Sequence, residues 1–298
     1  SEFLYGQDDR VMTQIELGKR LEEKGADDLQ NIVMIQCVGS RSEEFQNCSR
    51  ICCQNAVKNA LHIKELNPEA NVYVLYRDIR TYGIMEEYYR EARRQGVLFF
   101  RFNRDEPPGV ESTDEGLSVT FRDHVLQKNI KISVDLLALS AGMRAGDTEE
   151  LASILKVARN QDGYFMEAHV KLRPVDMASE GVFVCGTAHS PKLISESISQ
   201  SMAAASRAVT FLSQPEITLS VVTAKVDQDK CASCLICVRS CPYDVPRINK
   251  DGVSEIDPAL CRGCGVCAAE CPAKVIELNW YEDDQVLSKV DALLEGVL

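Results

Sequence analysis

The chain has 298 residues, a formal net charge of −12, 45% hydrophobic and 26% charged residues, and 13 cysteines. That length suggests roughly two domains and ample core, so a small secreted disulfide scaffold is excluded. The acidity argues against nucleic acid or an anionic membrane as partner, and the longest apolar runs, such as Val134 to Ala141 with Asp135 inside, are too short to span a bilayer.

In chain order, polar sequence follows Ser1-Glu2-Phe3, which does not read as a secretory signal; with clustered cysteines this predicts a reducing, cytoplasmic setting. Asn31 to Gln36 is an apolar run that predicts a buried strand. Cys37-Val38-Gly39-Ser40-Arg41 follows, and Cys52 to Leu66 has helical spacing, with Ala56, Ala60, Ile63 and Leu66 among its apolar positions. A second strand is predicted at Asn71 to Tyr76. This strand–loop–helix–strand order is the opening of a Rossmann-like unit. Its loop has only Gly39 where a dinucleotide site needs G-x-G-x-x-G, so a pyrophosphate lacks its close backbone approach. Cysteines stand there instead, spaced Cys37-x10-Cys48-x3-Cys52-Cys53. Two readings stay open: cluster ligands where a nucleotide would otherwise sit, or free thiols packed in a helix, since cysteine is often a core residue.

Residues 108–145 read as a β-meander, with strands at Gly116 to Phe121 and Ile130 to Ser140, ending at Leu139-Ser140-Ala141-Gly142. Gly181 to Cys185 reads as a further strand with Cys185 as a small core residue, and a helix over Ser195 to Leu212 follows. His62, His124, His169 and His189 show no metal spacing.

The last cysteines carry the most specific signal. Two runs read C-x2-C-x2-C-x3-C-P: Cys231, Cys234, Cys237 and Cys241 before Pro242, then Cys261, Cys264, Cys267 and Cys271 before Pro272. Three thiolates of such a loop converge on one face of a cubane, and the fourth points toward the partner cluster. The spacing therefore assigns Cys231, Cys234, Cys237 and Cys271 to one [4Fe–4S] centre and Cys241, Cys261, Cys264 and Cys267 to another. Zinc sites usually use two C-x2-C pairs rather than a four-cysteine run. This is the dicluster ferredoxin pattern, with strands expected at Ser220 to Lys225 and Lys274 to Asn279. Gln285 to Leu298 has helical apolar spacing at Val286, Val290, Leu293 and Leu294 and is expected to dock on that domain.

Several motifs together carry a family resemblance. Ile35-Gln36-Cys37-Val38-Gly39-Ser40-Arg41, then Asn47-Cys48-Ser49-Arg50-Ile51-Cys52-Cys53, is similar to the flavin-containing A subunits of heterodisulfide reductases. Tyr76-Arg77-Asp78-Ile79-Arg80-Thr81-Tyr82-Gly83, Lys171-Leu172-Arg173-Pro174-Val175 and the dicluster run resemble the same family, from about Val11-Met12-Thr13 onward. The resemblance implies that Cys37, Cys48, Cys52 and Cys53 hold a further [4Fe–4S] cluster, for three in all. It implies an α/β fold: a thioredoxin-reductase-like degenerate nucleotide-binding domain and part of an FAD domain, followed by an α+β dicluster ferredoxin domain. The expected divisions are 1–27 as a connecting segment from an FAD-binding half, 28–146 as the degenerate nucleotide-domain-like unit, 147–214 as part of the FAD domain, and 215–298 as ferredoxin and terminal helix.

Leu139 to Gly142 resembles the A-T-G-like turn of two-dinucleotide-domain flavoproteins, and Gly181 to Ala188 their G-V-F-x-x-G-D segment. Gly142, Gly186, Thr187, Lys192 and Ser195 are therefore the candidates for FAD contact, with Thr187 where those flavoproteins carry an Asp for the ribityl chain. The family's G-x-G-x-x-G for the ADP moiety has no counterpart in the chain, so weak FAD binding by these residues alone is expected. The family implies an oxidoreductase subunit relaying electrons between flavin and clusters, with flavin-based bifurcation as one mode. Implied partners are heterodisulfide reductase B- and C-like subunits, a hydrogenase or formate dehydrogenase electron-input subunit, and ferredoxin. Two alternatives remain: a quinone-interacting oxidoreductase subunit without bifurcation, and a pyridine-nucleotide-dependent flavoprotein reductase, against which the missing glycine loop argues.

Overall fold

A computed structural model describes residues 2–113, 116–215 and 222–295. The chain divides into two compact units, residues 1–145 with 190–197 and residues 146–189 with 198–298.

In the first unit β1 (Val11–Thr13) leads straight into α1 (Gln14–Lys24). Thr13 opens that helix with a capping box: Glu16 N donates to Thr13 Oγ1 at 3.3 Å and Thr13 N donates to Glu16 Oε2 at 2.6 Å. Two backbone donors that lack helical partners are thereby satisfied. Next come β2 (Asn31–Val38), α2 (Cys52–Leu66), β3 (Asn71–Tyr76), α3 (Met85–Arg94) and β4 (Leu98–Arg101). The unit continues with β5 (Gly109–Thr113), β6 (Gly116–Asp123), β7 (Lys128–Val134) and β8 (Leu136–Ala141).

Five strands form a parallel sheet in the order β1-β8-β2-β3-β4, while β5-β6-β7 form an antiparallel meander. The parallel sheet is apolar on both faces, as a sheet covered on both sides must be. Ile32, Met34, Val72 and Ala138 meet Leu17, Leu21, Ala56, Val57, Ala60 and Ile63 of the helices on one face. Val33, Ile35, Leu75, Leu137 and Leu139 meet Leu117, Val119 and Phe121 of the meander on the other. The segment before residue 28 belongs to this framework, because β1 pairs with β8 and Leu17 and Leu21 of α1 pack into the core.

The strand expected over Ile130 to Ser140 is two strands in different sheets. Asp135 divides them: its Oδ2 accepts from Gln30 N and Asn31 N, both at 2.8 Å, and its own N donates to Asn31 O at 2.9 Å. The carboxylate pins the chain where it leaves the meander and enters the parallel sheet.

The second unit holds α4 (Glu149–Leu155), most of α5 (Ile194–Leu212), β9 (Ala224–Val226), α6 (Ile236–Ser240), β10 (Arg247–Ile248) and β11 (Ser254–Glu255). It ends with α7 (Val266–Glu270), β12 (Ile276–Leu278) and α8 (Asp283–Leu294). Ala152, Val157, Phe165, Met177 and Val184 make one small core; the region around the last eight cysteines makes another. Buried Asp176 is tolerated because Arg207 Nε donates to its Oδ2 at 3.0 Å.

Three expectations fail here. Gly181 to Cys185 is not a strand: Val184 N donates to Val175 O at 2.8 Å and Met177 N to Val182 O at 3.0 Å, folding the segment back in a tight turn. Cys185 is consequently half-buried rather than a core residue. The terminal helix does not dock, since no residue of α8 is buried and Leu287 and Leu293 are 59% and 78% exposed. Of the expected flanking strands, β9 and β12 pair antiparallel, Ala224 opposite Leu278; Ser220 and Val221, like residues 296–298, lie outside the described residues. Among the described residues no helix is long and apolar enough to cross a membrane.

Candidate metal centres

The two ferredoxin loops repeat one backbone design. Ser233 and Leu235 have φ of 54° and 64°, and their counterparts Gly263 and Gly265 have 63° and 78°. Asp244 and Lys274, each three residues past a last cysteine, match again at 48° and 51°. Such left-handed residues turn successive backbone amides toward one point. Gly263 admits no side chain, because a Cβ there would lie 2.4 Å from Val222 O.

Each loop encloses a cavity. Cys231, Cys234, Cys237 and Cys271 line one; Cys241, Cys261, Cys264 and Cys267 line the other. Each cavity thus draws three cysteines from one run and the fourth from the other. Cys237, Cys267 and Cys271 are buried, while Cys234 and Cys264 are exposed and give each cavity an edge at the surface. Ser254 N donates to Cys231 Sγ at 3.5 Å, and Ser254 Oγ lies 3.2 Å from Cys237 Sγ. Ala224 N and Gly263 N donate to Cys261 Sγ at 3.3 and 3.5 Å.

These residues fit iron–sulfur clusters. Burial pushes the Cys267 thiol up to about 11, so a thiolate there needs a cationic partner, which cluster iron supplies. Among the described residues no group of three or more His, Cys, Asp or Glu closes around a single ion. Four thiols line each cavity, the donor set that a [4Fe–4S] cluster takes.

In the first unit the chain turns sharply out of the sheet. Cys37, Gly39, Arg41 and Arg50 have φ of 64°, 63°, 54° and 61°, and the β2–β8 register shifts between Ile35 and Val38. This turn brings Cys37 near Cys48 on the loop and Cys52 and Cys53 in the first turn of α2. Burial pushes Cys52 and Cys53 up to about 11, and the charges of the neighbouring cysteines, Cys37 and Cys48 among them, add to the rise. Burial also raises Cys37, against the opposing pull of Arg41 and Arg77. Arg50 N donates to Cys48 Sγ at 3.3 Å. No side chain caps α2, so its positive end is open to the site. Gln36 and Ser140, on the strands leading into the site, are each 1% exposed; both amide atoms of Gln36 and the Ser140 hydroxyl lack partners. Orphaned buried donors are costly, and they suit a bound group that accepts hydrogen bonds.

The flavin candidates are spread across the units. Gly142, Lys192 and Ser195 fall in the first, Gly186 and Thr187 in the second. Gly142 owes its identity to local packing, since a Cβ would come 2.8 Å from Ser40 Cβ and 2.9 Å from Gly39 O. Lys192 Nζ donates to Ser190 Oγ at 2.6 Å. Ser195 sits in the first turn of α5, beside Glu196, whose Oε1 meets Arg50 Nη2 at 2.6 Å. Gly186 N donates to Gln200 Oε1 at 2.8 Å, and Thr187 is exposed. His189 joins this network: Gln200 Nε2 donates to its Nδ1 at 3.0 Å and its Nε2 pairs with Glu167. Sequence reading missed His189, Gln36, Ser140 and Ser254, which share no spacing rule. It also missed Arg262, whose place between Cys261 and Cys264 was the available signal.

The 4Fe-4S dicluster domain family matches residues 230–276. Over 314 residues the chain is 38% identical to the iron-sulfur A subunit of CoB--CoM heterodisulfide reductase from Methanocaldococcus jannaschii, covering 99% of this chain and 48% of that one. It is 38% identical over 316 residues to the A subunit of H(2)/formate:CoB-CoM heterodisulfide,ferredoxin reductase from Methanococcus maripaludis, again 99% of this chain and 48% of that one. The A subunit of Ferredoxin:CoB-CoM heterodisulfide reductase from Methanosarcina acetivorans is 38% identical over 278 residues, 92% of this chain and 34% of that one. The chain therefore spans half or less of the length of these curated relatives. Among solved structures, the T. acidophilum thioredoxin reductase aligns over 68% of this chain and 58% of its own at 13% identity, with a TM-score of 0.44, too distant to add to the topology above. Identity sustained through both cysteine regions and almost the whole length places the chain in the heterodisulfide reductase A-subunit family.

Proposed function

We propose that the chain is the iron–sulfur electron-relay portion of a heterodisulfide-reductase-like oxidoreductase. In this reading Cys231, Cys234, Cys237 and Cys271 hold one [4Fe–4S] cluster, Cys241, Cys261, Cys264 and Cys267 a second, and Cys37, Cys48, Cys52 and Cys53 a third. Bound clusters supply one-electron chemistry. The observation that supports the reading is the exchange of fourth cysteines between two adjoining cavities.

The protein's own groups do the remaining work. Ser254, Ala224 and Gly263 donate hydrogen bonds to the cysteine sulfurs and so tune them. Apolar walls such as Ile248, Val275 and Ile256 limit water. Exposed Cys234 and Cys264 offer short routes to partners. Gly142, Lys192 and Ser195 in the first unit and Gly186 and Thr187 in the second are the proposed FAD contacts. The relatives' names mention ferredoxin, H2/formate and heterodisulfide. Ferredoxin, a hydrogenase or formate dehydrogenase electron-input subunit, and heterodisulfide reductase B- and C-like subunits are accordingly the proposed partners. A cytoplasmic setting, where thiols stay reduced, and bifurcation at the whole protein's flavin complete the proposal.

Iron, acid-labile sulfide and flavin analysis of anaerobically prepared protein tests it. About 12 Fe per chain is expected, with little or no retained FAD. About 8 Fe would remove the Cys37 centre, and tightly held stoichiometric FAD would overturn the flavin part.

A further inference from the structure

We infer that Arg262 makes the two ferredoxin centres unequal, so that an electron entering the domain settles on the centre of Cys241, Cys261, Cys264 and Cys267. This rests on the cluster assignment proposed above and adds a direction to it.

The two sites are otherwise closely matched. Their loops share the same left-handed positions. Each has two hydrogen-bonding contacts to cysteine sulfur: Ser254 N and Oγ on one side, Ala224 N and Gly263 N on the other. Both walls are largely apolar, and among the described residues no carboxylate lines either cavity. Backbone, hydrogen bonds and polarity therefore cancel to first order.

The difference is one charge. At the position after the first cysteine, the first loop has Ala232 and the second has Arg262. Both residues line their cavities, and among the described residues no Lys or Arg lines the first one. Arg262 Nε is buried and has no hydrogen-bond partner, so that N–H remains available to a sulfur acceptor. The adjoining Gly263, wedged against Val222 O, fixes the backbone that carries it. A guanidinium is charged at every relevant pH. Reduction adds a negative charge to a centre already surrounded by thiolates, and a cation in a low-dielectric wall stabilises that charge more than an amide dipole does. One electron leaves the Cys231 centre, which is oxidised by one, and arrives at the Cys261 centre, which is reduced by one. No proton or atom moves with it, since Arg262 carries a permanent charge.

Potentiometric titration of the anaerobic chain, followed by electron paramagnetic resonance, tests the inference in wild type, Arg262→Gln, Arg262→Lys and Ala232→Arg, with iron measured in each. The ferredoxin pair of the wild type is expected to reduce in two separate one-electron steps. Arg262→Gln should lower the upper step toward the other, Arg262→Lys should largely preserve it, and Ala232→Arg should raise the lower step. If Arg262→Gln loses iron, the lysine and Ala232→Arg arms still decide. Steps that move together, or do not move while iron is retained, overturn the role of Arg262. A wild-type domain that holds no clusters instead overturns the assignment beneath it.

Discussion

Cys271 is the residue on which the crossing of ligands turns: it is buried, ends the second run, and lines the cavity of the first. Two double variants read that directly. Cys231→Ser with Cys271→Ser should lose no more iron than Cys231→Ser alone, because both act on one centre, whereas Cys261→Ser with Cys271→Ser should lose about twice as much. The reverse pattern would mean that each run closes its own centre. At this scale the spacing of the Cys37 group left two readings open, whereas the grouping of the last eight cysteines around two cavities was legible, because cubane ligation imposes a spacing that sequence can show. The donors around them were not. Ser254 reaches Cys231 and Cys237 from a two-residue strand between the runs, and nothing about an isolated serine announces that.

Among the elements, β2, α2 and β3 were legible because long runs of one hydrophobic period leave little choice. The division between β7 and β8 was not, since Asp135 looks like a flaw in one strand until its two amide partners are known. The turn at 175–184 was misread for a related reason: an apolar run of strand composition is too short to extend once it folds back on itself. The start of α1 offers a measurable case. Thr13→Ala removes one arm of the capping box and is expected to cost about 1 kcal/mol, seen as a lower denaturant midpoint with an unchanged slope. A Thr13→Ser variant should recover most of it.

Across the first unit, Asp8 ties the chain ahead of β1 to β5, about a hundred residues on. It accepts from Arg10 Nη2 at 2.7 Å and from Ser112 Oγ at 2.7 Å. The Arg10 hydrogen bonds hold its carboxyl far below the usual value of 3.8. A depressed folded pKa stabilises the fold at pH values above 3.8, and that contribution is lost only as pH falls through the folded value. Asp8→Asn is therefore expected to unfold more easily than wild type at neutral pH, with the gap closing in strong acid. Unfolding midpoints measured across that range decide it, and a gap that stays constant with pH would refute the charge's role. The exchange of cysteines between cavities also governs how the proposed centres mature. A growing chain completes the ligand set of the later run once Cys267 has emerged, because Cys241 is already present. The earlier run must wait for Cys271. Cofactor insertion during synthesis would then proceed in the opposite order to the motifs themselves.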